Sequence, residues 1–339
     1  MKAVGYDKAG PIDAPDALVD FDAPDPEMGP RDLLVEVKAV SVNPVDWKVR
    51  TLFEPTAETR SGPARILGWD AAGVVQAVGA DVDGFAVGDR VFYAGDLTRP
   101  GSNAERQAVD HRIVGKAPAS LSFAEAAALP LTTITAWEAL FDRLRLESSG
   151  AGPLLIVGAG GGVGSIAIQL ARALTDATVI ATASRPETQA WVSELGAHQV
   201  LDHAQAWGPQ LSAMAPDGVS AVLATNGTDE HLDAIVESLR PQGKLALIDD
   251  PKAFDIAKLK LKSLSLHWEF MFTRSMFGTA DISEQGRLLG RVAEMVDAGR
   301  LRTTLAEIFG RIDAATLTRA HAFLESGRAR GKIVLEARA

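Results

Sequence analysis

The sequence predicts a two-domain α/β protein in which a β-rich first part precedes a doubly wound parallel sheet. Its 339 residues exceed the ~250–300 that a single hydrophobic core usually serves. Before Ser122, short β-forming segments are separated by turn residues, as in barrels and sandwiches. After Ser122, apolar strands alternate with amphipathic helices, which is the order that builds a parallel sheet with helices on both faces.

The β-rich part is predicted from three segments with strand composition. Asp32–Val40 partly alternates and is rich in β-formers, and Gly73–Gly79 and Arg90–Tyr93 have the composition of further strands. Turn residues at Asp83-Gly84 and Gly88-Asp89 separate them. Many short strands in one block favour a barrel-like or sandwich-like unit.

The second part opens with helical composition at Phe123–Leu129 and Thr135–Leu146. The apolar strand Leu154–Val157 follows, and after it a helix whose apolar residues recur with helical spacing from Val163 to Leu174. The remaining elements are predicted, in order, as the strand Thr178–Ala183, the helix Pro186–Leu195, the strands Gln199–Leu201, Ala221–Ala224 and Lys244–Ile248, the helix Glu284–Ala298 and the strand Lys332–Leu335.

Composition and charge exclude several classes of function. The net charge of −10 argues against nucleic-acid binding and against electrostatic attachment to anionic membranes. The chain has no cysteine, which excludes disulfides, a catalytic thiolate, iron–sulfur ligation and cysteine-ligated zinc. No apolar run approaches the ~18 residues of a membrane helix, and the first residues lack the apolar stretch of a secretory signal. We therefore expect a cytoplasmic protein.

A glycine-rich loop joins the strand Leu154–Val157 to the helix that follows it. Backbone amides in such a loop can approach a pyrophosphate, and the helix N-terminus adds about half a positive charge. The alternative is a plain strand-to-helix turn, but such a turn rarely needs five glycines in seven residues. We therefore predict a dinucleotide site formed by Gly158, Gly160, Gly161, Gly162, Val163 and Gly164.

Ser184-Arg185, at the end of the next strand, indicates which dinucleotide binds. Sites for NAD usually place Asp or Glu there to accept a hydrogen bond from the ribose 2′-hydroxyl. A hydroxyl and a guanidinium suit the 2′-phosphate of NADPH instead. The alternative is a capping box, because Glu187 follows Ser184 at the required spacing and Pro186 fits a first helical turn. Both roles can hold together, and we predict NADPH as the cofactor.

Five segments in the right order resemble the medium-chain dehydrogenase/reductase superfamily, in particular its zinc-free quinone oxidoreductase branch, whose members are often labelled zinc-type alcohol dehydrogenase-like. The resemblance covers nearly the whole chain, and its carriers are Ser41–Lys48, Gly68–Val75, Gly88–Val91, Leu129–Thr133 and the glycine loop.

The resemblance implies a GroES-like β-barrel domain at residues 1–124, completed by residues 268–339, and a Rossmann domain at residues 125–267. It also implies a homodimer joined through the edges of the Rossmann sheets. Lys258–Leu266 is then the expected edge strand, since a long apolar edge left uncovered would be an aggregation hazard.

The same resemblance argues against zinc. In the zinc branch a cysteine stands at the position of Asn43, and Gly-His-Glu stands where this chain has Gly68-Trp69-Asp70. The structural zinc lobe requires four cysteines, and the chain has none. The histidines show no ligand spacing. We expect no zinc, whatever names relatives carry.

Without a metal as Lewis acid, hydrogen bonds must stabilise the negative charge that develops when a hydride is transferred. Quinones and α,β-unsaturated carbonyls suit such a site because conjugation spreads this charge. We therefore predict NADPH-dependent reduction of a quinone or enone. The alternatives are a metal-free alcohol or aldehyde dehydrogenase and a non-catalytic, NADPH-binding redox sensor.

Three residues are predicted to act on the substrate. Asn43 takes the metal-ligand position of relatives and can donate an amide hydrogen bond, although asparagine is also common in turns before proline. Tyr93 can donate to the substrate oxygen, or it is an ordinary half-buried tyrosine. Thr133 lies, by resemblance, in the helix entry that faces the nicotinamide, with plain helix capping as its alternative.

Four further residues are predicted to contact the cofactor. Asn226 and Ile248 follow successive strands, at the end where open α/β sheets bind ligands. By resemblance, His267–Phe272, which includes Phe270, approaches the nicotinamide and forms a substrate wall, although it is equally typical of core. Lys332 is assigned through the C-terminal Gly-Lys position of the family.

Overall fold

The structure, a computed structural model, describes residues 1–337. The chain forms two compact units. Unit 1 consists of Met1–Leu131 and the segment from Phe272 onward, and unit 2 is Thr132–Met271. The boundaries implied by the resemblance, after residues 124 and 267, stay predictions, and the first of them falls inside the helix Phe123–Ala127. This helix packs on the sheet of unit 1. The α/β class predicted from the sequence is confirmed.

Unit 1 is built mainly from strands, and all elements are numbered in chain order. Its strands are β1 (Lys2–Tyr6), β2 (Val19–Asp22), β3 (Asp32–Ser41), β4 (Arg65–Ile66), β5 (Ala71–Val78), β6 (Arg90–Tyr93), β7 (Arg106–Asp110), β8 (Val114–Lys116), β15 (Leu305–Arg311) and β16 (Lys332–Glu336). Its helices are α1 (Pro44–Leu52), α2 (Phe123–Ala127), α8 (Thr273–Phe277), α9 (Glu284–Asp297), α10 (Ala314–Glu325) and the 3₁₀ helix His111–Ile113. The larger sheet has the order β15-β16-β3-β5-β6-β8, with β7 also pairing with β3, and β2-β1-β4 form the smaller one.

The pairing of β16 with β3 joins the two ends of the chain in unit 1. The strands are antiparallel, with Val334 opposite Ser41. Beyond the ladder, the Val42 amide donates to the Ile333 carbonyl at 3.3 Å, and Ser41 Oγ donates to the same oxygen at 2.8 Å. This register brings Lys332 to the point where β3 ends and α1 begins.

Unit 2 is a parallel sheet covered by helices. Its strands are β9 (Leu154–Val157), β10 (Val179–Thr182), β11 (Gln199–Leu201), β12 (Val219–Ala224), β13 (Leu239–Leu247) and β14 (Ser265–Trp268). Its helices are α3 (Pro130–Trp137, beginning at the boundary), the π-helix Glu138–Arg143, α4 (Gly162–Leu174), α5 (Pro186–Glu194), α6 (Trp207–Met214), α7 (Thr228–Ser238) and the 3₁₀ helix Ile256–Leu259.

The strand order of unit 2 is β11-β10-β9-β12-β13-β14, with every neighbouring pair parallel. This is the 3-2-1-4-5-6 order of the Rossmann fold, which confirms the prediction. All residues of β9, β10 and β12 are buried, as expected for strands covered on both faces. The strand order reverses between β9 and β12, and ligands bind outside the carboxyl ends of the strands at such a point.

The predicted edge strand Lys258–Leu266 is wrong for most of its length. The chain forms a 3₁₀ helix up to Leu259 and a turn with Ser263 at φ +50°, and only the following β14 is a strand. The Lys262 ammonium explains the difference, because it donates to three carbonyl oxygens at the end of α7, those of Val236, Glu237 and Leu239. Within residues 1–337, no helix is long and apolar enough to cross a membrane.

Candidate active site

The glycine loop begins with a turn that only glycine fits. Gly158 has φ +74°, and a Cβ atom there would lie 2.1 Å from Asn226 Oδ1. Two threonines at the carboxyl ends of the strands that flank β9 hold the loop in place. The Gly158 amide donates to Thr182 Oγ1 at 3.0 Å, and Thr225 Oγ1 donates to the Val157 carbonyl at 2.9 Å. Asn226, predicted from its place after a strand, thus lies directly against the loop.

The second half of the loop forms the start of α4. A Cβ atom on Gly164 would lie 2.4 Å from Ala159 Cα, so the helix can approach β9 only with glycine there. Gly161 is the N-cap residue, and no side chain caps the amides that follow it. An uncapped helix N-terminus beside a close-packed glycine turn suits a pyrophosphate, so these residues fit a dinucleotide.

Ser184 and Arg185 lie where β10 leads into α5, but the predicted capping box does not form. Arg185 is the N-cap residue of α5, and no side-chain hydrogen bond caps this helix. Arg185 Nε instead lies 3.2 Å from Glu187 Oε1 in a partly exposed ion pair. Such pairs contribute little to stability, because water and salt screen them. The geometry therefore removes the capping alternative for Ser184 and leaves its predicted contact with the cofactor as a prediction.

Asn43 lies at the N-cap of α1 with its amide group fully engaged. Its Nδ2 donates to Ser41 O (3.2 Å), Trp69 O (3.3 Å) and Asp70 Oδ2 (3.0 Å), and its Oδ1 accepts from the Lys332 ammonium. Its backbone amide donates to Asp46 Oδ2 at 2.6 Å. Asn43 itself is buried. This geometry favours a fixed, positioning role, and donation from Asn43 to a substrate stays a prediction.

Lys332, Asp70 and Asp46 form a buried group of charges around Asn43. The Lys332 ammonium also donates to Val42 O at 2.9 Å and lies 3.1 Å from Asp70 Oδ2, while Asp70 Oδ1 accepts from the Leu131 amide. Burial raises the pKa of Asp70, and the Lys332 ammonium opposes the shift. Burial also raises the pKa of Asp46, to about 7. The N–H groups of the Lys332 ammonium all meet acceptors within unit 1. The contact of Lys332 with a cofactor therefore remains a prediction.

The group around Asn43 does not fit a zinc ion. An amide, an indole and a carboxylate stand where the zinc branch has thiolate, imidazole and carboxylate, and an ammonium ion contacts two of them. Zinc prefers thiolate, imidazole and carboxylate ligands, and a fixed cation at the same place repels it. Within residues 1–337, no three His, Cys, Asp or Glu side chains cluster in a way that could hold a metal.

Tyr93 and Thr133, both predicted to act on the substrate, carry two of the five buried hydroxyl groups that have no hydrogen-bond partner within residues 1–337. Tyr93, at the end of β6, is buried together with its hydroxyl, and burial raises the pKa of this phenol. Thr133, in α3 of unit 2, is buried with Oγ1 unpaired. Thr133 lies inside the helix rather than at its cap, so the capping alternative does not apply. An unpaired buried hydroxyl is costly, which makes both residues candidates for a contact with ligand or water.

The segment His267–Phe272 divides between surface and core. Trp268 is 52% exposed and Phe270 is 49% exposed, whereas Met271 and Phe272 are buried. Phe272 packs edge-to-face on Trp69 with ring centroids 6.4 Å apart, both within unit 1. Ile248, the other predicted contact, follows β13, and its amide donates to the Ala224 carbonyl.

Several residues of the site were not found from the sequence. Thr182 and Thr225 hold the glycine loop, and Asp46 holds the Asn43 amide. Threonines at the ends of β10 and β12 could have been noticed from their position. Asp46 gave the signal of a carboxylate three residues after an N-cap asparagine.

Comparison with known proteins decides the family. Residues 29–137 match the model of the alcohol dehydrogenase GroES-like domain, and residues 195–335 match that of zinc-binding dehydrogenases. A zinc-type alcohol dehydrogenase-like protein of Staphylococcus aureus (strain MSSA476) is 38% identical over 99% of both chains. The chain belongs to the medium-chain dehydrogenase/reductase superfamily, in its quinone oxidoreductase-like branch. The GroES-like and Rossmann domains predicted from the resemblance are therefore confirmed.

Solved structures of this superfamily share the whole fold. A proposed zinc-dependent alcohol dehydrogenase protein from Rhizobium etli CFN 42 is 54% identical, with a TM-score of 0.95 over 100% of this chain and 98% of that one. The quinone oxidoreductase of Coxiella burnetii is 28% identical, with a TM-score of 0.81 over 100% and 99% of the chains. The mycobacterial protein Rv1454c, solved with NADPH, is 27% identical, with a TM-score of 0.82 over 99% of both.

Proposed function

We propose that this medium-chain reductase transfers a hydride from NADPH to a quinone or an α,β-unsaturated carbonyl compound without zinc. The observation that carries the proposal is the buried set of Asn43, Asp70 and Lys332, which fills the zinc position of relatives with an amide, a carboxylate and an ammonium ion. An acceptor bound nearby has no Lewis acid to polarise it, so an acceptor that delocalises its own negative charge is favoured.

The cofactor proposal is supported by both ends of the nucleotide site in unit 2. Gly158 and Gly164 give the close backbone packing that a pyrophosphate requires, and α4 presents uncapped amides. At the end of β10, Arg185 supplies a positive charge for a 2′-phosphate where NAD enzymes usually have a carboxylate. The NADPH bound by the mycobacterial relative supports the same choice. When bound, NADPH supplies the hydride.

The chain's own groups then have separate tasks. The glycine loop binds and orients the nucleotide, and the buried hydroxyls of Tyr93 and Thr133 are available to donate hydrogen bonds. Burial raises the pKa of Tyr93, so its Oη keeps its proton at neutral pH and serves as a hydrogen-bond donor. Because this hydroxyl is fully buried, a substrate reaches it only after neighbouring groups shift.

The reaction is tested by mixing the protein with NADPH and each acceptor of a panel. Turnover is measured as the decrease in absorbance when the reduced nicotinamide is oxidised. We expect turnover with quinones and enones, and none with simple alcohols plus NADP⁺. Alcohol oxidation alone would favour the dehydrogenase alternative. Tight NADPH binding without turnover on the whole panel would favour the sensor alternative. Stoichiometric zinc in the purified protein would overturn the metal-free part.

The test of cofactor choice is Arg185→Ala. We expect it to weaken NADPH binding about 10-fold or more and to leave NADH nearly unchanged, because a charge-assisted hydrogen bond is worth roughly 1.5–3 kcal/mol. Arg240→Ala is the matched control. It removes the same charge from the start of β13, at the opposite end of the sheet. Equal losses for NADPH and NADH would contradict the proposed role of Arg185.

A further inference from the structure

The Lys332 ammonium is buried among groups of unit 1. The side chain is 3% exposed, and its three N–H groups meet three acceptors: Val42 O, Asn43 Oδ1 and Asp70 Oδ2. Burying an ammonium ion is costly unless it is paired and fully hydrogen-bonded, and here it is both. The ammonium is therefore held in one place by its three acceptors.

The side chains that bind Lys332 indicate what this positive charge does in the site. Asn43 and Asp70 stand in the two segments that carry metal ligands in the zinc branch of the superfamily. We propose that the Lys332 ammonium is the resident cation of this site, and that it positions Asn43 and balances Asp70 where relatives use a metal ion. Lys332 is then a positioning residue, since it acts through Asn43.

The cation is needed because the site holds two buried carboxyl groups. Asp70 lies 3.1 Å from the ammonium, and Asp46 is bound to the Asn43 amide on the other side. Without Lys332, Asp70 would be left with only the Leu131 and Asn43 donors, so its carboxyl group would either remain a lone buried charge, which is strongly destabilising, or have to take up a proton.

The ammonium also fixes which way the Asn43 amide faces. Its Nδ2 is bound to Ser41 O, Trp69 O and Asp70 Oδ2, which are all acceptors, and its Oδ1 accepts from a group that can only donate. Turning the amide over would place Nδ2 against the ammonium and Oδ1 against carbonyl oxygens. One orientation is therefore enforced, and a neutral side chain at position 332 would relax it.

The inference rests on the proposed function only in its metal-free part. Because the Lys332 ammonium already supplies the positive charge of the site, we expect the site not to bind zinc even at high zinc concentration. Its failure and that of the proposed reaction are separable, because the main readouts below are stability and ligand binding rather than turnover.

The first experiment compares Lys332→Met, which keeps the length and loses the charge, with Lys332→Ala. Both should lower Tm by about 10 °C, as expected for a broken buried ion pair. The n-propylammonium ion equals the missing part of the lysine side chain. We expect it to raise the Tm of Lys332→Ala by several degrees, with no effect on Lys332→Met or the wild type. Choline at the same ionic strength should not act, because it is too large and donates no N–H.

Lys38→Met is the matched control, because Lys38 lies in β3 of the same unit in a partly exposed pair with Glu36. It should leave Tm nearly unchanged and show no response to n-propylammonium. The dissociation constant for NADPH should stay within about twofold in every variant, because the glycine loop lies in unit 2. A loss of NADPH affinity without a loss of Tm would instead place Lys332 on the cofactor and overturn the inference.

A double variant covers the case in which Lys332→Met folds poorly. Asp70→Asn/Lys332→Met removes both charges, and we expect it to be more stable than Lys332→Met alone, since no lone buried charge remains. Equal stability of the single and double variants, or no response of Lys332→Ala to n-propylammonium, would overturn the inference. Uptake of zinc by the wild type would overturn it together with the metal-free proposal, whereas failure to reduce quinones would leave it standing.

Discussion

Arg143 lies against Glu269 inside unit 2, with Nε 2.9 Å from Oε2. Arg143 ends the π-helix and Glu269 follows β14, and the carboxyl group is fully buried. A second buried carboxyl, that of Glu138, lies beside it. Burial and Glu138 together raise the pKa of Glu269 to about 9, and Arg143 only partly offsets them. At neutral pH the carboxyl pair therefore holds a proton.

This proton links the stability of unit 2 to pH. The pKa of Glu269 is raised from 4.5 to about 9 in the folded state. The protonated carboxyl group therefore stabilises unit 2 fully below about pH 4.5, and this stabilisation is lost as the pH rises towards 9. Glu269→Gln removes the effect. We expect its Tm relative to wild type to rise by a few degrees between pH 6 and 9. Glu187→Gln, on the partly exposed Glu187, is the control, and equal pH slopes for wild type and Glu269→Gln would contradict the prediction.

A buried histidine makes unit 1 sensitive to acid. His321 in α10 has neither ring nitrogen hydrogen-bonded within residues 1–337, and burial, with a smaller contribution from Arg50, lowers its pKa to about 3. Its stability contribution is therefore full above the unfolded pKa of 6.5 and is lost as pH falls towards 3. At pH 5 the loss is about 2 kcal/mol.

His321→Phe should abolish this loss. The free energy of unfolding of wild type and variant, measured in urea at pH 8, gives the packing effect of the substitution, because the histidine is neutral there. At pH 5 the variant should gain about 2 kcal/mol over that baseline. The same difference at both pH values would show that His321 does not titrate on unfolding in this range.

Unit 2 was largely predictable from the sequence, because its strands and helices repeat in the order that a parallel sheet requires. β9 was predicted with its observed bounds at Leu154–Val157, and α5 differs from its predicted end by one residue. Local pattern determines these elements, since β9, β10 and β12 are buried along their whole length and the helices have one apolar side.

The charges around Asn43 and the form of the sheet edge were not predictable in the same way. Lys332 and Asn43 meet only because β16 pairs with β3, a long-range contact that periodicity does not reveal. At the edge, the resemblance predicted a strand over Lys258–Leu266, but the Lys262 ammonium binds the carbonyls at the end of α7 and the chain turns there before β14 begins. In both cases a contact between residues far apart in the chain decides the structure, and the local sequence pattern does not reveal it.

The glycine loop makes a sharp prediction about substitution. In Gly164→Ala the new methyl group would lie 2.4 Å from Ala159 Cα, which is backbone and cannot turn aside. We expect a loss of about 1–3 kcal/mol in stability and a clear loss of NADPH affinity, measured by urea unfolding and by nicotinamide fluorescence.

Gly290→Ala is the control, because Gly290 lies in α9 with nothing within 4 Å of the new methyl group. An alanine in a helix interior should raise stability by about 0.5–1 kcal/mol and leave NADPH affinity unchanged. Equal NADPH affinity in Gly164→Ala and Gly290→Ala would mean that the close approach of α4 to β9 does not shape the nucleotide site.

The outer edge of unit 2 makes a prediction about assembly. Among residues 1–337, β14 pairs on one side only, with β13, and its last residue Trp268 is 52% exposed. A strand edge without a partner that carries an exposed tryptophan invites pairing with another strand, so we expect two copies of the chain to join there as a homodimer. Trp268→Lys should yield monomers, because a lysine on an edge strand opposes such pairing.

Phe277→Lys, on a 75% exposed phenylalanine of unit 1, should leave the dimer intact. Sedimentation equilibrium distinguishes these results, and a monomeric wild type, or a dimer lost only in Phe277→Lys, would contradict assembly through β14.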